Sequence, residues 1–320
     1  MGGVLPAGSP SVVALGGGHG LHASLTALRT LRDELSVGDL TAVVTVADNG
    51  GSSGRLRQEF GVLPPGDLRM ALAALCGDDE WGQTWAQLFQ HRFAGEGPMQ
   101  GHAIGNLVIV GLWELMGDHV RALDWAGTLL GARGRVLPMA TSPIDITAVV
   151  RSTPDSATTT VHGQVQIATA PGEIVQVALD PAEPEACPEA VQAILDAEWV
   201  VLGPGSWFTS VIPHLMVPGL RIALEETKAK VLLLLNLSDQ EGETAGYGPE
   251  QHLDALFDHA PGLQVHAVVA DSTAVLDVDR LRAVVEARGA SLVLGDLAVP
   301  GEPRHDPARL ASCLKAVIED

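Results

Sequence analysis

Three glycine-rich segments of this sequence each follow an apolar run, and all three have the composition of phosphate-binding loops. They are GGGHG at 16–20, DNGGSSGR at 48–55 and GPGS at 203–206. Glycines let backbone N–H groups approach an anion, and serine and asparagine side chains add further donors. The candidate ligand-binding residues in these loops are Gly16, Gly17, Gly18, His19, Gly20, Leu21, Asp48, Asn49, Gly50, Gly51, Ser52, Ser53, Arg55, Gly203, Pro204, Gly205 and Ser206.

The first loop does not have the spacing of a known nucleotide motif. A dinucleotide fingerprint needs glycine at position 21, where this chain has leucine, and a Walker motif needs Gly-Lys-Ser/Thr there. A nicotinamide dehydrogenase and a P-loop NTPase are therefore disfavoured. A phosphate turn at the start of a helix and a tight turn without a ligand both remain open.

The second loop offers a cation ligand as well as anion donors. Asp48 can accept a hydrogen bond from a ribose hydroxyl or coordinate a divalent cation, and it is the one metal ligand that we predict. Arg55 can add positive charge, although an arginine at the start of a helix is also often solvated. If the preceding strand belongs to a parallel sheet, this loop emerges at the same edge as the first loop.

Two further segments carry polar residues that lead into helices. In PPGDLR (64–69), Asp67 is either a helix cap or a group that binds metal or ligand, and Arg69 is a candidate anion partner. In GHAIGNL (101–107), His102 and Asn106 are four residues apart and therefore lie on one face of a helix. Polar groups that begin a buried helix need partners, either internal or from a ligand.

The segment LLLLNLSDQEGETAGYG (232–248) ends a very apolar strand in polar residues. Asn236, Gln240 and Thr244 are candidates for recognising the edge of a nucleobase or a sugar. The same side chains could instead satisfy neighbouring loops, and the sequence does not decide between these alternatives.

The elements that must position these loops alternate between short apolar strands and longer segments of helical spacing. Strands are predicted at 11–15, 41–46, 146–151, 173–179, 198–202, 230–235, 264–270 and 291–294, and helices at 21–34, 67–76, 82–93, 103–116, 119–131, 188–197, 208–227 (broken near Pro213 or Pro218), 250–258, 278–287 and 306–318. This alternation predicts a mainly parallel sheet covered on both faces. We expect an α/β, doubly wound fold.

The predicted sheet is interrupted by a helical insertion at about 67–131, where strand signals are almost absent. Residues 151–168 are rich in Thr and Ser and predict a hairpin or an edge extension. We expect a flexible tail at 1–10, followed by a single domain over 11–320.

Composition excludes several classes of protein. The formal net charge is −20, so the surface repels nucleic acid and an anionic ligand needs local donors. The three cysteines lack the spacing of a zinc site or a disulfide framework, so we expect reduced thiols. The N-terminus lacks the features of a leader, and no apolar run could span a membrane, so we expect a cytoplasmic protein without membrane insertion.

Six ordered segments together resemble the YvcK group of the CofD-like family: GGGHGL, VTVADNGGSSGRLR, PPGDLR, GHAIGNL, GPGSWFTSVIPHLMVPGL and NLSDQEGETAGY. The resemblance implies a Rossmann-like, three-layer fold that binds UDP-sugars such as UDP-N-acetylglucosamine. It also implies a cytoplasmic regulator of central carbon metabolism, cell-wall growth and cell shape, without established turnover. We expect no required cofactor, an unidentified protein partner and a homodimer.

The same family contains the 2-phospho-L-lactate transferases, which join a nucleotide monophosphate to phospholactate with Mg²⁺. They typically carry two adjacent aspartates after the second strand, where this chain has Asp48-Asn49. The amide weakens the case for a two-ion site, because Mg²⁺ prefers anionic oxygens. A transferase, with either Asp48 alone or Asp48 and Asp67 together as metal ligands, is the alternative function.

Three residues depart from the YvcK pattern, and one C-terminal residue matches it. His19 and Asp239 stand where threonine is common, and Glu241 stands where proline is common. A histidine in contact with a phosphate would make binding sensitive to pH. Arg304, in a segment similar to the family's Arg-His-Asp, is a candidate nucleotide partner by resemblance, and a solvated arginine is the alternative.

Overall fold

The protein is built around a seven-stranded parallel sheet with a smaller antiparallel sheet beside it. The computed structural model describes residues 8–153, 157–240 and 242–319. The strands are β1 (Val12–Gly16), β2 (Leu40–Val44), β3 (Arg135–Pro138), β4 (Asp145–Arg151), β5 (Thr158–His162), β6 (Glu173–Asp180), β7 (Trp199–Leu202), β8 (Lys230–Leu234), β9 (Val265–Asp271) and β10 (Ser291–Gly295). The large sheet has the order β10-β9-β8-β7-β1-β2-β3, and the small one β5-β4-β6.

The helices follow the strands in the alternation that the sequence predicts. They are α1 (Gly18–Asp33), α2 (Gly51–Phe60), α3 (Gly66–Ala74), α4 (Glu80–Gln90), α5 (Ile104–Met116), α6 (His119–Leu130), α7 (Gln164–Ala168), α8 (Pro188–Asp196), α9 (Ile212–Met216), α10 (Pro218–Glu226), α11 (Pro249–His259), α12 (Val278–Glu286) and α13 (Pro307–Glu319). A π-helical turn, Trp207–Val211, precedes α9. The helix break expected at Pro213 or Pro218 lies between α9 and α10.

The strand order reverses direction between β1 and β7, which are paired in parallel from Val12 opposite Trp199 onward. From β1 the chain moves one way to β2, and from β7 it moves the other way to β8. Right-handed crossovers in opposite directions place their helices on opposite faces of the sheet. The Rossmann-like, doubly wound α/β fold is therefore confirmed, with a switch point where the first and third glycine loops emerge.

The central strands are buried on both faces, which explains their continuous apolar sequences. Every residue of β1 is buried, as is every residue of β7. A fully buried Val or Leu side chain contributes about 1.5–3 kcal/mol. Parallel sheets covered by helices select such Val/Leu runs rather than alternating patterns.

The small sheet corrects the expectation that all predicted strands build one sheet. The predicted strands at 146–151 and 173–179 form β4 and β6, which pair antiparallel outside the large sheet. β5 pairs with β4 as the hairpin partner expected within 151–168, and α7 follows it. The burial of β4 alternates, as in a sheet with one covered face.

Two elements next to the site were missed. Residues 135–138 form β3, the edge strand beside β2, and residues 51–60 form α2 where we expected a loop. Helices α2–α6 lie between β2 and β3, which accounts for the helical insertion. Of the expected tail, residues 1–7 lie outside the described residues, whereas Ser9 Oγ donates to the Leu35 carbonyl and the Pro10 carbonyl accepts from Gly38 N–H.

Within the described ranges, no single helix is long and apolar enough to cross a membrane. The helical segments Trp207–Met216 and Pro218–Glu226 reach the length and apolar composition of a membrane span only when they are joined, and the angle between them is 78°. The cysteines Cys76, Cys187 and Cys313 are free thiols, as expected.

Candidate functional site

The first glycine loop joins β1 to α1 and leaves the N-terminal amides of α1 facing the carboxyl edge of the sheet. Gly18 starts the helix at φ +57°, a conformation that glycine adopts without strain. Gly20 packs directly against the third loop, because a Cβ on Gly20 would lie 2.1 Å from the Pro204 carbonyl oxygen. Leu21 points the other way and is buried in the core, so its side chain cannot contact a ligand.

The third glycine loop is held in place by Asn236, at the end of β8. Asn236 Oδ1 accepts from Gly205 N–H at 2.9 Å, and Asn236 Nδ2 donates to the Gly205 carbonyl at 2.9 Å. Of the two roles left open for Asn236, the structure shows the bond to a neighbouring loop. Asn236 therefore positions the third loop against the first.

Three polar residues follow Asn236: Gln240 lines the cavity, whereas Glu243 and Thr244 are bonded to other parts of the protein. Gln240 Oε1 is buried without a hydrogen-bond partner among the described residues, so it can accept from a ligand. Thr244 is fully buried and accepts from Gln240 N–H, so its side chain is structural. Glu243 is buried and accepts from Phe208 N–H and Thr209 Oγ1, and burial raises its pKa.

The first and third loops line one cavity of about 440 Å³, together with the segments after β8 and before α13. Its volume lies in the usual range for small-molecule sites, about 300–1,000 Å³. The cavity is lined by His19, Gly20, His22, Ala23, Thr26, Pro204, Gly205, Asn236, Leu237, Ser238, Gln240, Pro303, Arg304, His305 and Pro307. Four segments that are remote in sequence thus surround one space at the switch point.

Arg304 reaches this cavity from the segment before α13, where resemblance placed it. Its side chain lines the cavity, but it is also exposed to solvent and paired with Glu302. The structure therefore does not decide between a nucleotide partner and a solvated arginine. The neighbouring His305 was not predicted. It is buried, its Nε2 has no partner among the described residues, and burial lowers its pKa to about 4.

On the opposite side of the first loop lie two neighbouring carboxylates, of which Asp67 is buried and Asp48 is partly exposed. A Cβ on Gly17 would lie 2.6 Å from Asp67 Oδ2, and a Cβ on Gly66 would lie 2.7 Å from Asp48 Oδ2. Asp67 is 8% exposed, and its Oδ2 has no hydrogen-bond partner in the described chain. Burial, then the charge of Asp48, raises the pKa of Asp67 to about 7, against the opposing hydrogen bond from Gly18 N–H.

A separate chain of hydrogen bonds joins Arg69 on α3 to the second loop and to the helical insertion. Arg69 Nε donates to Asn106 Oδ1 at 2.9 Å, and Asn106 Nδ2 donates to Ser52 Oγ at 3.0 Å. Ser52 Oγ lies 3.1 Å from His102 Nδ1. These four predicted residues are therefore brought together, mainly as partners of one another.

One group in this network is left free. Arg69 Nη1 is buried without a partner within the described residues. The hydroxyl of Thr45, a residue that no sequence motif indicated, is likewise buried without a described partner. Burial lowers the pKa of Arg69 to about 10, so it stays charged at neutral pH. Arg69 therefore offers a buried donor close to the carboxylate pair.

Other residues of the second loop point away from the first loop. Asn49 Nδ2 donates to Gln166 Oε1, and Asn49 Oδ1 accepts from Val165 N–H, so α7 occupies its amide. Arg55 donates to the carbonyls of Pro98 and Gln100. The expectation that these two side chains face a ligand is not supported by their contacts.

The remaining residues of the second and third loops mainly shape the loops themselves. Asp48 Oδ1 accepts from Gly50 N–H at 2.8 Å, Gly51 begins α2 at φ +47°, and Ser53 is buried against Gly66. Ser206 precedes the π-helical turn, and its side chain makes no capping hydrogen bond there. Among the departures from the resemblance, Asp239 accepts from Gly246 N–H, and Glu241 lies outside the described residues.

Comparisons with known proteins match most of this chain, both in sequence and in structure. The family model described as 2-phospho-L-lactate transferase CofD matches residues 12–297. A Mycobacterium leprae protein named "Putative gluconeogenesis factor" is 49% identical over 319 residues, covering 98% of this chain and 88% of that protein. A gluconeogenesis factor from Halalkalibacterium halodurans is 39% identical over 249 residues, covering 78% of this chain and 73% of that protein.

A solved structure shares the fold over almost the whole length. The crystal structure of a UPF0052-family protein from Bacillus halodurans superposes with a TM-score of 0.84 at 32% identity. The match covers 98% of this chain and 99% of that chain. The switch point and its loops therefore lie within the shared architecture.

Proposed function

Because the chain belongs to the CofD family and surrounds one cavity with four distant segments, we propose that it binds a nucleotide-sugar. The ligand we favour is a UDP-sugar such as UDP-N-acetylglucosamine. The observation that carries the proposal is the meeting of the first and third glycine loops over the 440 Å³ cavity. Open α/β sheets bind ligands at this switch point.

The diphosphate fits the first glycine loop, where the positive end of the α1 dipole and the amides at the start of the helix favour an anion. Binding must overcome the net charge of −20, so these local donors are needed, with Arg304 as an added cation. The nucleoside would lie toward Leu237 and Gln240. Gln240 Oε1 can accept a hydrogen bond from the base or the ribose.

Regulation of central carbon metabolism, cell-wall growth and cell shape, in the cytoplasm, is the physiological part of this proposal. The names of the relatives, "Putative gluconeogenesis factor" and "Gluconeogenesis factor", support the part that concerns carbon metabolism, and the resemblance to the YvcK group supplies the rest. Ligand binding can shift the conformation of a partner-binding surface if the two states differ in affinity. The helical insertion suits this role because α3 carries Asp67 and Arg69 to the first loop.

A titration of the purified chain with UDP-N-acetylglucosamine and NAD, with and without Mg²⁺, tests the proposal. Thermal unfolding should shift upward with the UDP-sugar and not with NAD. At a hundredfold excess over Kd the stabilisation should be about 2.7 kcal/mol. Equal shifts with NAD, or no shift with any UDP-sugar, would argue against it.

The second candidate function is a Mg²⁺-dependent transferase, and the neighbouring carboxylates of Asp48 and Asp67 favour it. Asp48 and Asp67 supply two oxygen-bearing ligands, and Asp67 Oδ2 is free. Across the described ranges, no group of three or more His, Cys, Asp or Glu residues could hold a metal. The pair therefore fits Mg²⁺ only with phosphate oxygens completing the coordination, as is common for this ion.

This alternative predicts turnover. With a nucleoside triphosphate and a phosphorylated acceptor, a transferase releases pyrophosphate in a Mg²⁺-dependent reaction that Asp48→Asn abolishes. Clean binding of UDP-sugars without product over a broad panel of acceptors would favour the regulator.

A further inference from the structure

A second cavity of about 310 Å³ lies between α1 and the α3–α4 segment. It shares His22 and Thr26 with the 440 Å³ cavity, so the two spaces meet along α1. Its polar lining consists mainly of two helical stripes, His22, Thr26 and Arg29 from α1 and Gln83, Gln87 and Gln90 from α4. Each stripe has the spacing of one helix face.

The lining of the second cavity is polar but carries little free charge. Arg29, its one cation, donates to Asp78 and to the Cys76 carbonyl. Burial lowers the pKa of His22 and raises that of the Cys76 thiol to about 11, so both are neutral near pH 7. Such a cavity disfavours a phosphate and offers amide and hydroxyl partners instead.

The glutamines are available for a ligand. Within the described residues, Gln87 and Gln90 make no side-chain hydrogen bond, and Gln83 uses only its Nε2, which donates to the Asp78 carbonyl. Small apolar side chains of Ala73, Ala74 and Ala86 complete the lining and leave room for a ring.

The second cavity begins within reach of the diphosphate site. His22 lies four residues after Gly18, which is about 6 Å along the axis of α1. A sugar ring bonded directly to the distal phosphate spans a similar distance. A ring leaving the first glycine loop along α1 would therefore enter between the two polar stripes.

We propose that the second cavity is the glycosyl subsite, where an uncharged ring bearing hydroxyl and amide groups is bound. This inference rests on the proposed nucleotide-sugar function and adds to it a site of sugar recognition, built by α1 and α4. The 440 Å³ cavity then holds the nucleoside, and the first loop holds the diphosphate between them.

Two variants test the subsite with UDP and UDP-N-acetylglucosamine as paired probes. Gln87→Ala removes an exposed amide and should weaken UDP-N-acetylglucosamine about fivefold, the effect of one hydrogen bond. Ala86→Phe fills the space and should weaken it at least about twentyfold. Affinity for UDP should stay within about twofold in both variants, because UDP has no sugar beyond the distal phosphate. Gln192→Ala, on exposed α8, is the matched control and should change neither affinity.

The outcomes separate this inference from the function on which it rests. If the wild-type chain binds UDP-N-acetylglucosamine but the two variants bind it as tightly, the subsite is elsewhere while nucleotide-sugar binding stands. Equal losses for UDP and the UDP-sugar in variants of unchanged melting temperature would also overturn the subsite. If the wild-type chain binds neither ligand, the proposed function fails and the subsite with it.

Discussion

The two sides of the first glycine loop differ in their exposure to solvent and in their charge. The cavity side, formed by His19, Gly20, Gly205, Asn236 and Gln240, is open and offers mainly backbone and uncharged polar groups. The carboxylate side, formed by Thr45, Asp48, Asp67 and Arg69, is mostly buried and includes charges without full partners.

The difference shows how one turn can serve two kinds of chemistry. The cavity side can accept a diphosphate without moving a charge, because helix N-terminal amides carry a fixed partial positive charge. On the carboxylate side, repulsion between Asp48 and Asp67 is relieved by a proton or by a cation. Substitutions on the two sides should therefore have separable effects on stability, affinity and pH dependence.

The largest effect is expected where the first and third loops touch. Gly20→Ala places a methyl group 2.1 Å from the Pro204 carbonyl oxygen, so the two loops must separate. We expect a loss of about 3 kcal/mol in the free energy of unfolding and no measurable binding of a UDP-sugar. Denaturant unfolding and calorimetric titration measure both.

Gly111→Ala is the control for that substitution. Gly111 is exposed on α5 and has nothing near its Cβ position, so alanine should be neutral or stabilising there. Wild-type binding by Gly20→Ala would show that close contact between the loops is not needed.

The next effect separates the cavity side from residues that only support the fold. Asn236→Ala removes two hydrogen bonds to Gly205, and Asn49→Ala removes two bonds to α7. Each should cost about 1–3 kcal/mol of stability. Only Asn236→Ala should also weaken ligand binding, about tenfold, in a calorimetric titration. A loss of affinity in both variants, or in neither, contradicts the assignment.

The carboxylate side should make the stability of the chain depend on pH. The pKa of Asp67 rises from 3.8 to about 7 on folding, so the folded chain holds an extra proton between these values and loses stability as the pH rises through them. Asp67→Asn keeps the group neutral. We expect it to be more stable than the wild type at pH 8, on the order of 1 kcal/mol, with a smaller difference at pH 5.5.

Asp271→Asn should change the stability at pH 8 in the opposite direction. Burial acts to raise the pKa of Asp271, but hydrogen bonds from Thr273 and from Leu297 N–H outweigh it and lower the pKa. Neutralising Asp271 should therefore destabilise the chain at pH 8. Thermal unfolding across pH compares the two variants, and destabilisation of Asp67→Asn at pH 8 would show that Asp67 is stabilising as an anion.

The smallest effect is expected at Arg304. Its side chain is exposed and its ion pair with Glu302 is screened by solvent, so Arg304→Ala should leave the melting temperature unchanged. Its affinity for a UDP-sugar should fall several-fold at low salt and less at high salt, because added ions screen an exposed charge. No change at low salt would place the diphosphate out of reach of Arg304.

The sequence predicted the architecture well because the evidence for it is local. Buried apolar runs, glycine turns and helical spacing placed the strands around the switch point without reference to distant residues. β3 was missed because RVLP is only four residues long and ends in proline. α2 was missed because GGSSG has poor helix propensity, which buried packing of Ser52, Ser53 and Leu56 overrides.

The site was predicted at the level of segments and less well at the level of side chains. The loops could be found because glycine and serine composition reports backbone geometry. The partners of Asn49, Arg55 and Thr244 depend on tertiary contacts with α7, residues 98–100 and Gln240, which no local pattern encodes. Thr45 lacked a motif, and His305 lies in the Arg-His-Asp segment without having been chosen as a site residue, so only their missing partners among the described residues distinguish these buried groups.

The most direct test of the account is a crystal structure of the chain with UDP-N-acetylglucosamine. We predict diphosphate oxygens about 2.9 Å from backbone amides at the start of α1, between Gly17–Gly20 and Gly203–Ser206. The nucleoside should lie in the cavity lined by Asn236, Gln240 and Arg304. A ligand bound away from the first and third glycine loops would contradict the central claim.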